Sequence, residues 1–147
     1  MSDANVPDTV EREMILRAPV ERVWAALTDP TEIAKWFGDG ADIDLRPGGA
    51  ATFSFGDQHE PAVVYAVDEN RRFAFYWVPG PNDGKPVEVT EDRRTLVDFT
   101  LEPVEGGTRL KLVESGFARL GETGVYKANS EGWDEELGEL ATYLHAA

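Results

Sequence analysis

Toward the C-terminal end, apolar residues fall at Trp133, Leu137, Leu140, Ala141 and Leu144, a spacing of i, i+4, i+7, i+8 and i+11. This is one stripe of an amphipathic helix, and it predicts a helix over residues 129–147 whose other face is acidic. Such a helix runs about 25 Å, roughly the width of a small domain, and needs a broad apolar surface to lie on. The middle of the chain supplies one. Residues 51–55, 62–67, 73–78, 95–101 and 108–114 are short runs of aromatic and branched side chains bounded by turn residues, and read as strands. Ile43 and Leu45 precede them, ahead of a turn at Arg46-Pro47-Gly48-Gly49. Turns at Glu69-Asn70-Arg71 and Glu105-Gly106-Gly107 mark antiparallel hairpins.

Residues 1–8 read as a flexible tail, and residues 9–17 alternate weakly with Val10, Met14 and Leu16 apolar, the pattern of an edge strand. Pro19 suits the first turn of a helix, and Val20, Val23, Trp24 and Leu27 give that helix a buried face. Asp29-Pro30-Thr31-Glu32 is a second helix start: Asp29 can cap, Pro30 sits at N1, and Glu32 at N3 completes a capping box. This helix is short and ends near Trp36-Phe37-Gly38. The order is therefore strand, two short helices, about six more strands and a long helix, with neither repeat nor linker. That predicts one α+β domain over residues 9–147, a curved antiparallel sheet of about seven strands with helices segregated to one side. The connection over 79–94 is long enough to act as a lid or entrance; the alternatives are a disordered hairpin tip or a hairpin carrying Val87 and Val89.

Composition narrows the function classes. The chain has 147 residues, 41% hydrophobic, with seven Phe, four Tyr and four Trp, enough for a core. Its net charge of −14 repels phosphate backbones and anionic lipid, so neither nucleic acid nor membrane surface is an expected partner. The plain reading of that charge is solubility; it could also steer a cationic partner. With no cysteine there is no disulfide, thiol nucleophile or thiolate metal site. The first ten residues lack a basic segment followed by an apolar one, and no run approaches a membrane span, so the expected location is cytoplasmic.

Several short motifs, in order, resemble one superfamily. Ala18-Pro19-Val20-Glu21-Arg22-Val23-Trp24 is similar to the opening of the SRPBCC (START-like, helix-grip) proteins. Asp29-Pro30 with Trp36-Phe37 fits their second helix, and Asp44-Leu45-Arg46-Pro47-Gly48-Gly49 a turn of one branch. Gly107-Thr108-Arg109-Leu110 with Glu114-Ser115-Gly116-Phe117 fits the last hairpin. Gly132-Trp133, Leu137, Leu140 and Tyr143-Leu144 fit the closing helix. Together they resemble the branch of the activator of heat-shock-protein-90 ATPase homologues, over about residues 9–146. The resemblance implies a helix-grip fold and, as in relatives, a hydrophobic small molecule or lipid bound between sheet and helix. The glycines have fold-making reasons. Gly48-Gly49 permits a tight turn, Gly116 a sharp exit from the last strand, and Gly132 a close approach of the helix to the sheet.

Strand alternation assigns an inner face. It carries Phe73, Phe75 and Trp77; Val97, Phe99 and Leu101; and Leu110 and Leu112 with Glu114 in register. It also carries Val63, Tyr65 and Val67, with His59 in parity. The helix adds Trp133, Leu137, Leu140 and Leu144. The candidate ligand-binding set is Trp36, Phe53, Phe55, Tyr65, Phe75, Trp77, Phe99, Leu112, Trp133 and Leu137, with Trp36 and Phe37 able to close one end. Pockets are lined in this way, but large aromatics can equally fill the space. Polar candidates are His59, Glu60, Tyr65, Tyr76 and Glu114. Desolvation in an aromatic pocket is how a general acid is made, so Glu114 and His59 are the weak catalytic candidates. His59 and His145 lie far apart with no carboxylate motif, and no metal or cofactor is expected. Asp98 reads as surface. Nucleophile elbow, phosphate loop and dinucleotide fingerprint are all missing from the sequence.

Three functions compete: binding of a small hydrophobic or amphipathic molecule, a cyclase- or hydrolase-type enzyme using Glu114 or His59, and a chaperone-linked interaction module. An outer face with Val64, Ala66, Ala74, Tyr76 and Leu96 would be apolar enough to make a homodimer.

Overall fold

The computed structural model describes residues 6–80 and 88–145. Seven strands form one antiparallel sheet in the order β1-β7-β6-β5-β4-β3-β2. They are β1 (Thr9–Leu16), β2 (Gly40–Ile43), β3 (Ala50–Phe55), β4 (Gln58–Asp68), β5 (Arg72–Trp77), β6 (Thr95–Val104) and β7 (Gly107–Ser115). Between β1 and β2 lie α1 (Val20–Thr28) and α2 (Pro30–Ile33); after β7 come α3 (Phe117–Leu120) and α4 (Thr123–His145). This is the α+β helix-grip arrangement. β1 is an edge strand, and its pairing with β7 from Thr9↔Ser115 to Leu16↔Thr108 brings the first strand beside the last.

The closing helix begins six residues before the expected start, at Thr123 rather than Asn129. Its first turns are held by partly buried Val125 and Tyr126, the latter edge-on to Phe117 with ring centroids 5.4 Å apart. Gly124 and Gly132 interrupt the apolar period there and hide the start. Residues 146–147, inside the expected helix, lie outside the described residues, as do 1–5 of the expected tail. Val6 is buried, however, and the Asp8 carbonyl accepts from Gly116 N and Phe117 N at 3.1 and 3.2 Å, so residues 6–8 are tied to the body. The connection 79–94 forms no strand where it is described; Val87 lies outside the described residues and Val89 is in irregular backbone.

At the second helix start Asp29 accepts from Thr31 N at 2.9 Å, with Pro30 at N1. The expected capping box is not closed. Asp29 N–H donates to Ala25 O at 2.9 Å, ending α1, so it has no need of Glu32. Glu32 instead accepts from Arg22 at 2.8 Å and from Tyr143 Oη at 2.5 Å, joining α1, α2 and α4.

The Gly48-Gly49 turn is stitched to β4: Gly48 N donates to Val64 O at 2.8 Å, and Val64 N to Gly49 O at 2.9 Å. Gly48 has φ 84°, and a Cβ on Gly49 would sit 2.0 Å from the Asp44 carbonyl, so both positions require glycine. Gly132 is different. A Cβ there meets nothing within 4 Å, so it does not mediate the expected close approach.

The main correction concerns β4. The register passes from Val64↔Phe75 to Ala66↔Ala74, which leaves Tyr65 as an extra residue in a β-bulge. Parity counted back from Val67 therefore flips at Tyr65. Val67 packs on the core, but the inner residues upstream are Ala62 and Val64, at 3% and 1% exposure. Val63 and Tyr65 face outward at 36% and 49%, and His59 is exposed beside Ser54, its cross-strand neighbour. The outer face is accordingly not the expected apolar patch. Val64 is inside, Ala74 is fully covered, and the Tyr65 and Tyr76 rings carry Arg72 and Arg94 at 5.7 and 3.7 Å from their centroids. Asp98, on that face as expected, accepts from Arg72 at 2.7 and 3.0 Å.

Inside the sheet's curve the core is aromatic. Phe53 lies 4.8 Å from Phe75, Phe73 5.5 Å from Phe75, and Phe75 5.4 Å from Trp77, centroid to centroid. Trp133, Leu137, Leu140 and Leu144 of α4 close over them. Each such side chain contributes about 1.5–3 kcal/mol on full burial.

Candidate functional site

Glu114, near the end of β7, is 0% exposed and lies on the inner face as alternation requires. It accepts from Trp77 Nε1 of β5 at 2.8 Å, Thr95 Oγ1 of β6 at 2.6 Å and Trp133 Nε1 of α4 at 2.7 Å. Asn129 Nδ2, one turn earlier on α4, donates to both carboxylate oxygens at 3.0 and 3.2 Å. Indole and amide N–H groups can only donate, so both oxygens are held as acceptors. A buried carboxylate without such donors would cost several kcal/mol. Among the described residues no cation pairs with it. Glu114 thus fixes the two indoles and the asparagine in place.

Those three side chains line two adjoining cavities at the open end of the sheet. One, of about 150 Å³, is bounded by Phe37, Phe55, Trp77, Asn129, Trp133 and Glu136, with Ala128 and Gly132 at the helix. The other, about 170 Å³, is bounded by Phe55, Glu60, Trp77, Asn129 and the segment Val78, Pro79 and Gly80. They share Phe55, Trp77 and Asn129. Deeper in, between Phe53, Phe73, Phe75, Phe99 and the α1–α2 side chains, the cavity open to a water-sized sphere is only about 10 Å³. Aromatic residues have filled the interior.

Phe37 is the partition between mouth and interior, lining both spaces. Its ring stacks on Trp133 at 5.6 Å and 4°, and on Trp77 at 6.1 Å and 27°. Trp36, next to it, turns away: its Nε1 donates to Ala26 O at 2.7 Å.

Two carboxyls edge the mouth. Burial pushes Glu60 above the usual carboxylate range. Glu136 is pushed up to about 7, first by burial and then by repulsion from Glu135 and Glu139.

The family model described as Activator of Hsp90 ATPase homolog 1-like protein matches residues 17–145. The chain belongs to this family. A comparison with curated proteins gives no match. Among solved structures, protein MLL2253 from Mesorhizobium loti is similar at TM-score 0.78 and 27% identity, over 92% of this chain and 96% of that one. DynU16, from the dynemicin biosynthetic locus, is similar at TM-score 0.77 and 28% identity over 95% of this chain, which spans 48% of DynU16. CalU16 from Micromonospora echinospora is similar at TM-score 0.71 and 26% identity, over 93% of this chain and 76% of that one.

In this member of the Hsp90-activator-homologue family the expected ligand-binding residues divide into four groups. Phe55, Trp77 and Trp133 line the mouth. Trp36, Phe53, Phe75 and Phe99 surround the filled interior, and Leu112 and Leu137 are buried in the core. Tyr65 is outside, displaced by the bulge. His59 and Glu114 lie on opposite faces of the sheet and are not brought together. Among the described residues no group of three His, Asp or Glu side chains could hold a metal ion, and no helix is long and apolar enough to cross a membrane. Asn129, Gly132 and Glu136 were not expected at the site. They lie in the acidic and small-residue half of α4, where periodicity marks solvent; only the placement of Trp133 on the same turns could have pointed to them.

Proposed function

We propose that the protein binds a small hydrophobic or amphipathic molecule at the mouth between β3–β5 and α4, rather than deep in the interior. The observation that carries this reading is the pair of adjoining cavities with stacked Phe37, Trp77 and Trp133 on one side and Asn129 at their junction. Ligand sites combine apolar and aromatic walls with a few placed polar groups, and this mouth has that make-up. Its volumes favour a compact ligand over a long-chain lipid. Membership of the family supports a binding role without naming the ligand.

Gly132 provides the test. It borders the first cavity, and a Cβ there meets no atom within 4 Å. A Gly132→Leu variant is expected to fold, with better helix propensity, and to occupy part of that cavity. A thermal-shift screen of compact aromatic and amphipathic compounds should find hits for the natural chain. A ligand at 100 times its Kd stabilises by about 2.7 kcal/mol, on the order of 5–10 °C in Tm. The hits should vanish in Gly132→Leu. Hits that persist unchanged in that variant place binding elsewhere and reject this site.

A further inference from the structure

The mouth has an unusual imbalance of polar groups. Three of its side chains carry N–H donors, Trp77, Trp133 and Asn129, and all three are engaged by Glu114 behind the wall. What remains is mostly acceptor or electron-rich: the Glu60 and Glu136 carboxyls, the aromatic rings and the Asn129 carbonyl oxygen, against the second N–H of the Asn129 amide as the side-chain donor left over. Among the described residues, neither cavity is lined by Lys, Arg or His.

From this, and resting on the binding role proposed above, we propose that the ligand is a small organic cation: a protonated or quaternary amine carrying a flat apolar body. The flat part lies against the stacked Phe37, Trp77 and Trp133 rings, and the ammonium sits between Glu60 and Glu136 near Asn129. An ammonium group supplies the donors and the charge that the site lacks, and aromatic faces attract cations. The net charge of −14 draws cations toward the surface. Among the described residues lining the cavities, a carboxylate ligand such as a fatty acid meets no countercharge and two carboxyls of its own sign. Burial raises both carboxyls, and an ammonium bound beside them would favour their charged forms again.

Calorimetric titration of the full chain at pH 8 in low salt, with three probes of one shape, tests the inference. The probes are 1-naphthylmethylammonium, 1-naphthylmethanol and 1-naphthoate. The cation is expected to bind about tenfold or more tighter than the alcohol, and the carboxylate more weakly than either. Glu60→Gln and Glu136→Gln should each weaken the cation about threefold or more and leave the alcohol within about twofold. Equal affinity for cation and alcohol, with no response to the two variants, overturns the cation inference while the mouth stands as a binding site. Tighter binding of 1-naphthoate also overturns it. No binding of any probe, or binding unchanged in Gly132→Leu, removes the site itself and the inference with it.

Discussion

Trp133 Nε1 donates to Glu114 Oε1 at 2.7 Å, joining the middle of α4 to the end of β7 through a bond that no solvent reaches. The same carboxylate holds Trp77, Thr95 and Asn129, so one side chain sets the wall of the mouth and docks the helix.

Replacing Glu114 by Gln keeps the shape but turns an NH2 group toward N–H and O–H donors. Loss of charge-assisted bonds and the opposed donors should cost about 2–4 kcal/mol. Chemical denaturation should show that loss, and the indole N–H resonances of Trp77 and Trp133 should both move. A stability within about 0.5 kcal/mol of the natural chain would show that the network does not hold the helix.

Glu136 makes stability depend on pH. Its carboxyl, pushed up to about 7 from an ordinary value of 4.5, keeps a proton in the fold that the unfolded chain has released. Between those values the native state binds more protons, so stability falls as pH rises and levels off above about 7. Glu136→Gln removes this dependence. Its Tm should match the natural chain near pH 4 and exceed it at pH 8; equal values at both would contradict the buried placement.

Phe37→Ala should connect the mouth to the interior void. Removing a ring that contacts five others is expected to cost about 3–5 kcal/mol. The enlarged, largely apolar space should take up benzene, with a rise in Tm on adding it. A variant no less stable than the parent would show that the neighbouring rings collapse into the gap.

Gly138 is exposed on α4, and a Cβ there meets nothing within 4 Å. Gly138→Ala should therefore stabilise by about 1 kcal/mol through helix propensity alone, without affecting ligand binding. Urea denaturation measures this, and a destabilised variant would argue against a regular helix at that position.

Arg12 of β1 donates to Asp134 at 2.7 Å and to the Ser130 hydroxyl at 2.9 Å, clasping α4 against the edge strand. Arg12→Met should loosen that turn and speed amide exchange around residues 130–134, with a small change in global stability of about 0.5–1 kcal/mol because the pair is solvated. Unchanged exchange would show that the Glu114 network alone holds the helix.

By itself the sequence determined the α+β class, the strand order along the chain, the stripe from Trp133 to Leu144 and the inward set on β5, β6 and β7. Those features follow from local periodicity, which survives folding wherever strands run without interruption. What only the tertiary structure decided lies where local periods break or distant residues meet. The bulge at Tyr65 inserts one residue and reverses every upstream side chain, a change that no alternation count registers. Glu32 left its expected cap because Arg22 and Tyr143, far apart in sequence, offered charge-assisted partners. Glu114 could be placed inward by parity. Its four donors come from β5, β6 and two turns of α4, and they meet only when the helix lies across the sheet. Whether the aromatic interior would be open or filled was also a matter of packing. Side-chain identity fixes how much volume must be buried, and only the fold decides that Phe37 closes the interior and leaves the remaining space at the mouth.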